Sequence, residues 1–250
     1  MSRRSKRRGG AGPNRRGNFR TPTRLSDQRP PIVTSVPCLL WVEADLLVES
    51  GGFVDSWTDQ SGYGHDLLGF GASRPAAEPL GWNGTSPSVL FDGVDDRLFV
   101  NLFGPATPTG LSFVMAAESP TMTLGDRVLY WVTGANAHQI MQRVATYRYA
   151  AAGGGNRDNT GNTRGVWMTT STGVGTNLQW YFNGVANNNT LTAGFPPDPG
   201  VGERFLIGST NSPSAFANVR LGAAMVFRGQ LSAADIAAIQ ARLAAKGWAA

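Results

Sequence analysis

The chain has 250 residues, 32 of them glycine and 15 proline, and 41% are hydrophobic. That much backbone punctuation excludes a helical bundle, while the apolar share is enough to fill a core. Only 16% of residues are charged, which argues against a disordered polyelectrolyte, and no run of 18 apolar residues is present to cross a membrane as a helix. The one cysteine, Cys38, excludes an intrachain disulfide framework.

The charge is partitioned along the chain. Residues 1–30 hold ten of the 22 basic side chains against one acid, Asp27, and so carry +9. The other 220 residues have 12 bases and 16 acids, a net −4. Residues 1–31 therefore read as a basic extended arm, and 32–250 as the folded domain. Before Ile32 the arm has Gly and Pro breakers and almost no apolar residues, too little to offset its ordering entropy alone in water. It lacks the apolar stretch of a secretory signal. It is either a solubilising tail or an anchor that lies on a partner. In the second case Arg3, Arg4, Lys6, Arg7, Arg8, Arg15, Arg16, Arg20 and Arg24 are the contact residues. Arginine's planar fork suits carboxylates and phosphates alike, so non-specific nucleic-acid contact is included.

From Ile32 onward the pattern is short β segments bounded by Gly, Pro, Asn or Asp. Strands are predicted within 31–45, at 53–57, 88–91, 97–100, 111–117, 127–133, 177–182, 204–208 and 219–227. Asn183-Gly184 between apolar runs predicts a two-residue type I′ hairpin. Residues 151–165, AAGGGNRDNTGNTRG, predict a long structureless loop. One helix closes the chain. Ser232 and Asp235 form a capping-box signature, Leu231 can staple onto Ile236, and Ile236, Ile239 and Leu243 make one apolar stripe. Lys246 falls in its last turn, Gly247 can take the left-handed cap, and Trp248 can fold back.

Three blocks in order carry a resemblance. They are W-x-D-x-S-G (Trp57, Asp59, Ser61, Gly62), FDGVDD (Phe91 to Asp96) and the terminal LGAAMVFRGQLSAADIAAIQARLAAKGW. Over residues 38–248 the chain resembles the laminin-G-like, concanavalin A-like jelly roll, and especially the variant found in tailed-phage virion proteins. The resemblance implies an all-β, two-sheet jelly-roll sandwich with one C-terminal amphipathic helix. It also implies a non-enzymatic virion structural protein, a capsid decoration (cement) or head-fibre protein assembled in the host cytoplasm. Its partners would be the major capsid or other virion proteins, a homo-oligomer is expected, and no membrane is involved. The alternative is a lectin-like module that adsorbs to cell-surface glycans. In that case Tyr63, Trp82, Tyr147, Tyr149 or Trp167 would stack on sugar rings.

Chemistry-bearing residues are few. Asp92, Asp95 and Asp96 either cap a turn that Gly93 bends or, as in some laminin-G-like domains, supply oxygens to Ca2+. Glu43-Ala44-Asp45 begins the E-x-D-x-E strand of jelly-roll glycosidases, but position 47 is leucine. The second carboxylate of a retaining pair is missing, so no hydrolase is expected. His65 and His138 lack metal-ligand spacing, and Cys38, within CLLW, reads as a small buried hydrophobe. No cofactor motif is found, and none is expected.

Overall fold

The computed structural model describes residues 30–102, 111–118, 127–133, 136–143, 147–150, 157–159, 164–171, 178–191, 203–209 and 216–249. The basic arm, with all nine of its predicted contact residues, lies outside the described residues. Seventeen strands run in chain order: β1 (Cys38–Glu43), β2 (Leu47–Ser50), β3 (Phe53–Trp57), β4 (Leu67–Leu68), β5 (Ala76–Trp82), β6 (Ser86–Asp92), β7 (Leu98–Leu102), β8 (Leu111–Glu118), β9 (Arg127–Thr133), β10 (Asn136–Arg143), β11 (Tyr147–Ala150), β12 (Arg157–Asn159), β13 (Arg164–Ser171), β14 (Leu178–Phe182), β15 (Val185–Leu191), β16 (Glu203–Ile207) and β17 (Asn218–Arg228). One helix, α1 (Ala233–Ala245), follows.

All described pairings are antiparallel and connect the strands into one continuous ladder. The ladder divides at a single residue pair, Phe53↔Ala76 between β3 and β5. On one side lies the inner half. There β6 and β1 share one edge of β17, with β5 beyond β6, and β8, β13, β14 and β15 follow from the other edge. The outer half runs β2, β3, β4, β7, β16, β9, β10, β11, β12. Phe113 of β8 stacks on Phe205 of β16 at 6.4 Å, so the two halves face each other as the expected sandwich. Val54, Trp57, Leu67, Leu98, Phe205 and Ile207 from the outer half meet Phe113, Met115 and Trp167 from the inner half in one core.

Strand alternation gives the inner half a second apolar face. Residues paired across it, such as Trp41↔Met225↔Val114↔Met168, are buried although they turn away from the sandwich interior. Helix α1 covers this face with Ile236, Ile239 and Leu243. The capping box is formed as expected, with Ser232 Oγ accepting from the Asp235 amide and Asp235 accepting from the Ser232 amide. Asp235 also accepts from the Ser35 amide and hydroxyl, which fastens the start of the domain to the helix N-terminus. After the helix Gly247 takes φ +78°, and Trp248 folds back over Gly222, where a Cβ would lie 2.5 Å from its Cδ1. Only glycine at 222 lets the indole close the end of the sheet.

The predicted hairpin is present. Asn183 (φ 48°) and Gly184 (φ 77°) join Phe182 to its partner Val185. The predicted loop at 151–165 is corrected where it is described, because Arg157–Asn159 pairs with β11 as β12 and β13 begins at Arg164, and its other residues lie outside the described ones. Two of the missed strands show weak patterning. β10 (NAHQIMQR) is polar, and β5 contains Pro79, tolerated where its register with β6 shifts between Glu78 and Trp82. Among the described residues no helix is long and apolar enough to cross a membrane.

Candidate functional site

The Trp57–Gly62 block performs a structural task at an edge. One edge of β1 pairs with β17, and the loop after Trp57 satisfies backbone groups that this pairing leaves over. The Gln60 amide donates to the Trp41 carbonyl (2.7 Å). The Asp59 carboxylate accepts from the amides of Trp41, Ser61 and His65, each at 2.9 Å, and from Ser61 Oγ at 2.6 Å. The Leu39 carbonyl accepts from Ser61 Oγ and from His65 Nδ1. Asp59, Ser61 and His65 are buried and committed to these contacts. Cys38 is buried beside them, and its thiol is pushed up by burial and by the Asp59 charge, as suits an inert side chain.

Glu43 is likewise committed to the fold. It has no exposed surface and accepts from Trp41 Nε1 (2.9 Å) and from Arg242 Nε and Nη2 (2.6 and 2.7 Å), with Lys246 at 3.7 Å. Lys246 also pairs with Asp45. The Glu-Ala-Asp pattern is thus the sheet's side of a clamp on α1.

In the Phe91–Asp96 turn Phe91 is buried, as its pattern predicts, and Gly93 has φ +81°. Asp92 Oδ1 accepts from the Val94 amide (2.7 Å), and Asp96 Oδ2 from the Asp92 amide (2.9 Å), the bonding of a capped turn. Asp92, Asp95 and Asp96 each bring a carboxylate oxygen within 4.8 Å of the others. Their spacing fits a divalent cation, yet three carboxylates supply only part of the six to eight oxygens that Ca2+ takes. Burial, together with the charges of Asp92 and Asp95, pushes Asp96 up to about 6 from an ordinary 3.8. The folded state therefore holds this proton more tightly than the unfolded chain, and stability falls as pH rises through 3.8 to about 6. Asp96→Asn keeps an acceptor for the Asp92 amide. It should raise stability at pH 7 by on the order of 1 kcal/mol and flatten the slope between pH 4 and 7, read by thermal melts across that range. An unaltered slope would show that Asp96 is not its source.

The predicted sugar-stacking aromatics are dispersed. Tyr63 is 52% exposed and lies parallel to the His65 ring at 5.7 Å. Trp82 is fully buried and Trp167 nearly so, with no ring face left for a sugar, so both predictions are corrected: these rings fill the core. Tyr147 and Tyr149 lie on β11, and their side chains fall outside the described residues.

The exposed aromatic surface lies elsewhere, on the face of the outer half that points away from the core. Registers align Val48, Ser56, Leu68, Phe99 and Leu206 across β2, β3, β4, β7 and β16, of which Leu206 is buried and Val48 and Leu68 are exposed. Leu98 and Val100 on either side of Phe99 are core residues, so Phe99 faces out. Phe70, 54% exposed, stacks on Phe99 at 5.0 Å, and the Arg204 guanidinium sits 5.2 Å from the Phe99 ring centre. Val48 and Leu68 are exposed beside them, and Asn101, paired with Arg204, is exposed on the same face. Sequence reasoning missed this shelf. Phe70 stands in LLGFGAS, which reads as a turn, and its neighbour from β16 comes more than 130 positions later.

No family model matches the chain, and no curated protein matches it. Solved structures do. A Trypanosoma rangeli sialidase in complex with sialic acid superposes with a TM-score of 0.56 at 12% identity, over 86% of this chain and 36% of that one. Domain 4 of an extracellular arabinanase from Geobacillus stearothermophilus, in complex with arabinotriose, gives 0.53 at 11% identity, over 82% and 98%. The ligand-binding domain of botulinum neurotoxin serotype D, in complex with N-acetylneuraminic acid, gives 0.54 at 12% identity, over 82% and 51%. The chain spans about a third of the sialidase and about half of the toxin domain. At these identities the likeness shows the fold alone, a β sandwich shared with parts of the sialidase and toxin chains and with arabinanase domain 4.

Proposed function

We propose that the domain is a non-catalytic carbohydrate-binding module whose ligand lies on the outward face of the outer half. The observation that carries this reading is the Phe70–Phe99 shelf. The core takes one face of each half and α1 lies on the other face of the inner half, whereas the shelf leaves a ring face in water next to Ser56, Asn101 and Arg204. An exposed aromatic flanked by a few polar groups is the usual chemistry of a small-ligand surface, apolar for contact and polar for orientation. Arabinanase domain 4, matched over nearly its whole length, is in complex with arabinotriose, which supports it; the sialidase and toxin chains, also in complex with sugars, extend well beyond the matched part.

The charge partition favours a second reading for the whole chain: a virion structural protein, with the sandwich displayed on a phage particle and the basic arm seated on capsid proteins. The +9 arm on a −4 body is what an anchor and a displayed domain would look like. The two readings are compatible and separable. In glycan arrays with the full chain, Phe70→Ala should weaken saccharide binding at least tenfold, about the effect of truncating an interface anchor. Deleting residues 1–30 should spare glycan binding and abolish incorporation into particles. Unchanged glycan binding by Phe70→Ala would remove the shelf from consideration, and full decoration of particles by the truncated chain would remove the anchor.

A further inference from the structure

The shelf carries a cation that no described acid neutralises. We propose that it selects saccharides bearing a carboxylate, with Arg204 as the group that binds the acid; this rests on the carbohydrate-binding reading above. Four other arginines of the sandwich are spoken for, while Arg97 and Arg228 likewise form no ion pair among the described residues. Arg74 pairs with Asp55, Arg164 with Glu118 at 3.5 Å, Arg220 with Glu78 at 2.7 Å, and Arg242 with Glu43 at 2.6 Å. Among the described residues Arg204 touches only an aromatic ring, the face of Phe99, and its side chain is exposed.

That arrangement suits recognition. A guanidinium lying on a ring keeps its in-plane N–H donors free and gives up part of its rotamer freedom before any ligand arrives. A carboxylate can then accept two parallel hydrogen bonds from the fork. The neighbouring groups argue for a sugar acid over a bare anion. Phe70, stacked on the same Phe99, offers an apolar face to the C–H side of a pyranose, and Asn101, opposite Arg204 in the ladder, offers an amide for its hydroxyls. Because residues 31–250 carry a net −4, long-range attraction does not draw polyanions to this body. A single localised acid on a mostly neutral oligosaccharide is the better match.

The test uses the full chain and two matched ligand pairs in calorimetric titration: 3′-sialyllactose against lactose, and xylotriose bearing one glucuronic acid against xylotriose. The basic arm is common to every protein compared, so its contribution cancels between wild type and variant. The wild type should bind an acidic member at least tenfold more tightly than its neutral partner, the worth of one charge-assisted bond. Arg204→Gln should lower that ratio about tenfold from the wild-type value, and Arg204→Lys should restore only part of it. Both substitutions are at an exposed side chain, and unchanged thermal melts would show that the variants are folded. An acid preference that Arg204→Gln leaves at the wild-type value overturns the proposal. So does a wild type that binds both members equally, and if Phe70→Ala still abolishes that binding, the carbohydrate reading stands without it. If the wild type binds no member of either pair, the acid selectivity fails, and the glycan-array result for Phe70→Ala decides the reading beneath it.

Discussion

Asp59→Ala should cost about 4 kcal/mol or more, a large part of the 5–15 kcal/mol that holds a typical domain together. The carboxylate it removes is the shared acceptor for the amides of Trp41, Ser61 and His65 and for the Ser61 hydroxyl. Trp41 has no exposed surface, and Ser61 and His65 have little, so water cannot readily replace the lost acceptor. Each orphaned buried donor is worth roughly 1–3 kcal/mol, and three backbone donors are orphaned together. Because the loop also fixes the free side of β1, the loss should spread to the pairing of Trp41 with Met225 at the centre of the helix-covered face. Asp59→Asn retains one acceptor oxygen and should fall between the two. Urea denaturation followed by tryptophan fluorescence measures all three proteins. A loss below about 1 kcal/mol for alanine would mean that the loop finds other acceptors.

Much of this architecture could be read from local pattern, and the particular residues show why. Strands such as FVDSW and RVLYWVT announce themselves through β-branched and aromatic runs between breakers, and they occur at the expected positions, Phe53–Trp57 and Arg127–Thr133. The helix start was legible because a capping box is a four-residue signal, and the hairpin because Asn-Gly can supply two positive φ angles. Of the strands that escaped, β2, β4, β5, β10, β11 and β12 are short or weakly patterned and are held by partners, whereas β13 (RGVWMTTS) carries a strand's own composition. RDN becomes a strand because Tyr147–Tyr149 lies alongside it.

The candidate site was the least legible part for a related reason. Whether an aromatic ring faces core or water depends on what lies across the sheet. Trp82, in a Gly-Trp-Asn-Gly turn sequence, looks exposed and is buried, while Phe70 in a similar Gly-rich setting is exposed. Only the register of β4, β7 and β16 brings Leu68, Phe99 and Leu206 into one row and sets Arg204 beside it. The acidic turn was read more nearly correctly, since Asx bonding is local and FDGVDD contains both the acceptors and the glycine.

Glu43→Gln is the second substitution expected to be severe, at about 2–3 kcal/mol. A fully buried ion pair loses roughly 3–5 kcal/mol when one partner is removed, and here Arg242 keeps about a quarter of its side-chain surface in water, which softens the loss. The effect has a pH signature. Burial alone would raise the Glu43 carboxyl, but the hydrogen bonds from Arg242 and Trp41, with the charges of Arg242 and Lys246, outweigh it and hold the group below its ordinary 4.5. The unfolded chain therefore binds that proton more readily than the folded one. The contribution is whole above pH 4.5 and drains away as pH falls toward the lower folded value. Wild type and Glu43→Gln should accordingly differ most near pH 7 and draw together as pH falls below 4.5. Arg242→Met should destabilise alone and add little on top of Glu43→Gln, giving a coupling energy above about 1 kcal/mol in a double-mutant cycle. Saccharide binding by the folded fraction should persist in both variants, because the clamp lies under α1 on the inner half and the shelf is on the outer half. A difference between wild type and Glu43→Gln that is the same at pH 3 and pH 7 would show that the pair does not carry its charge in the folded protein.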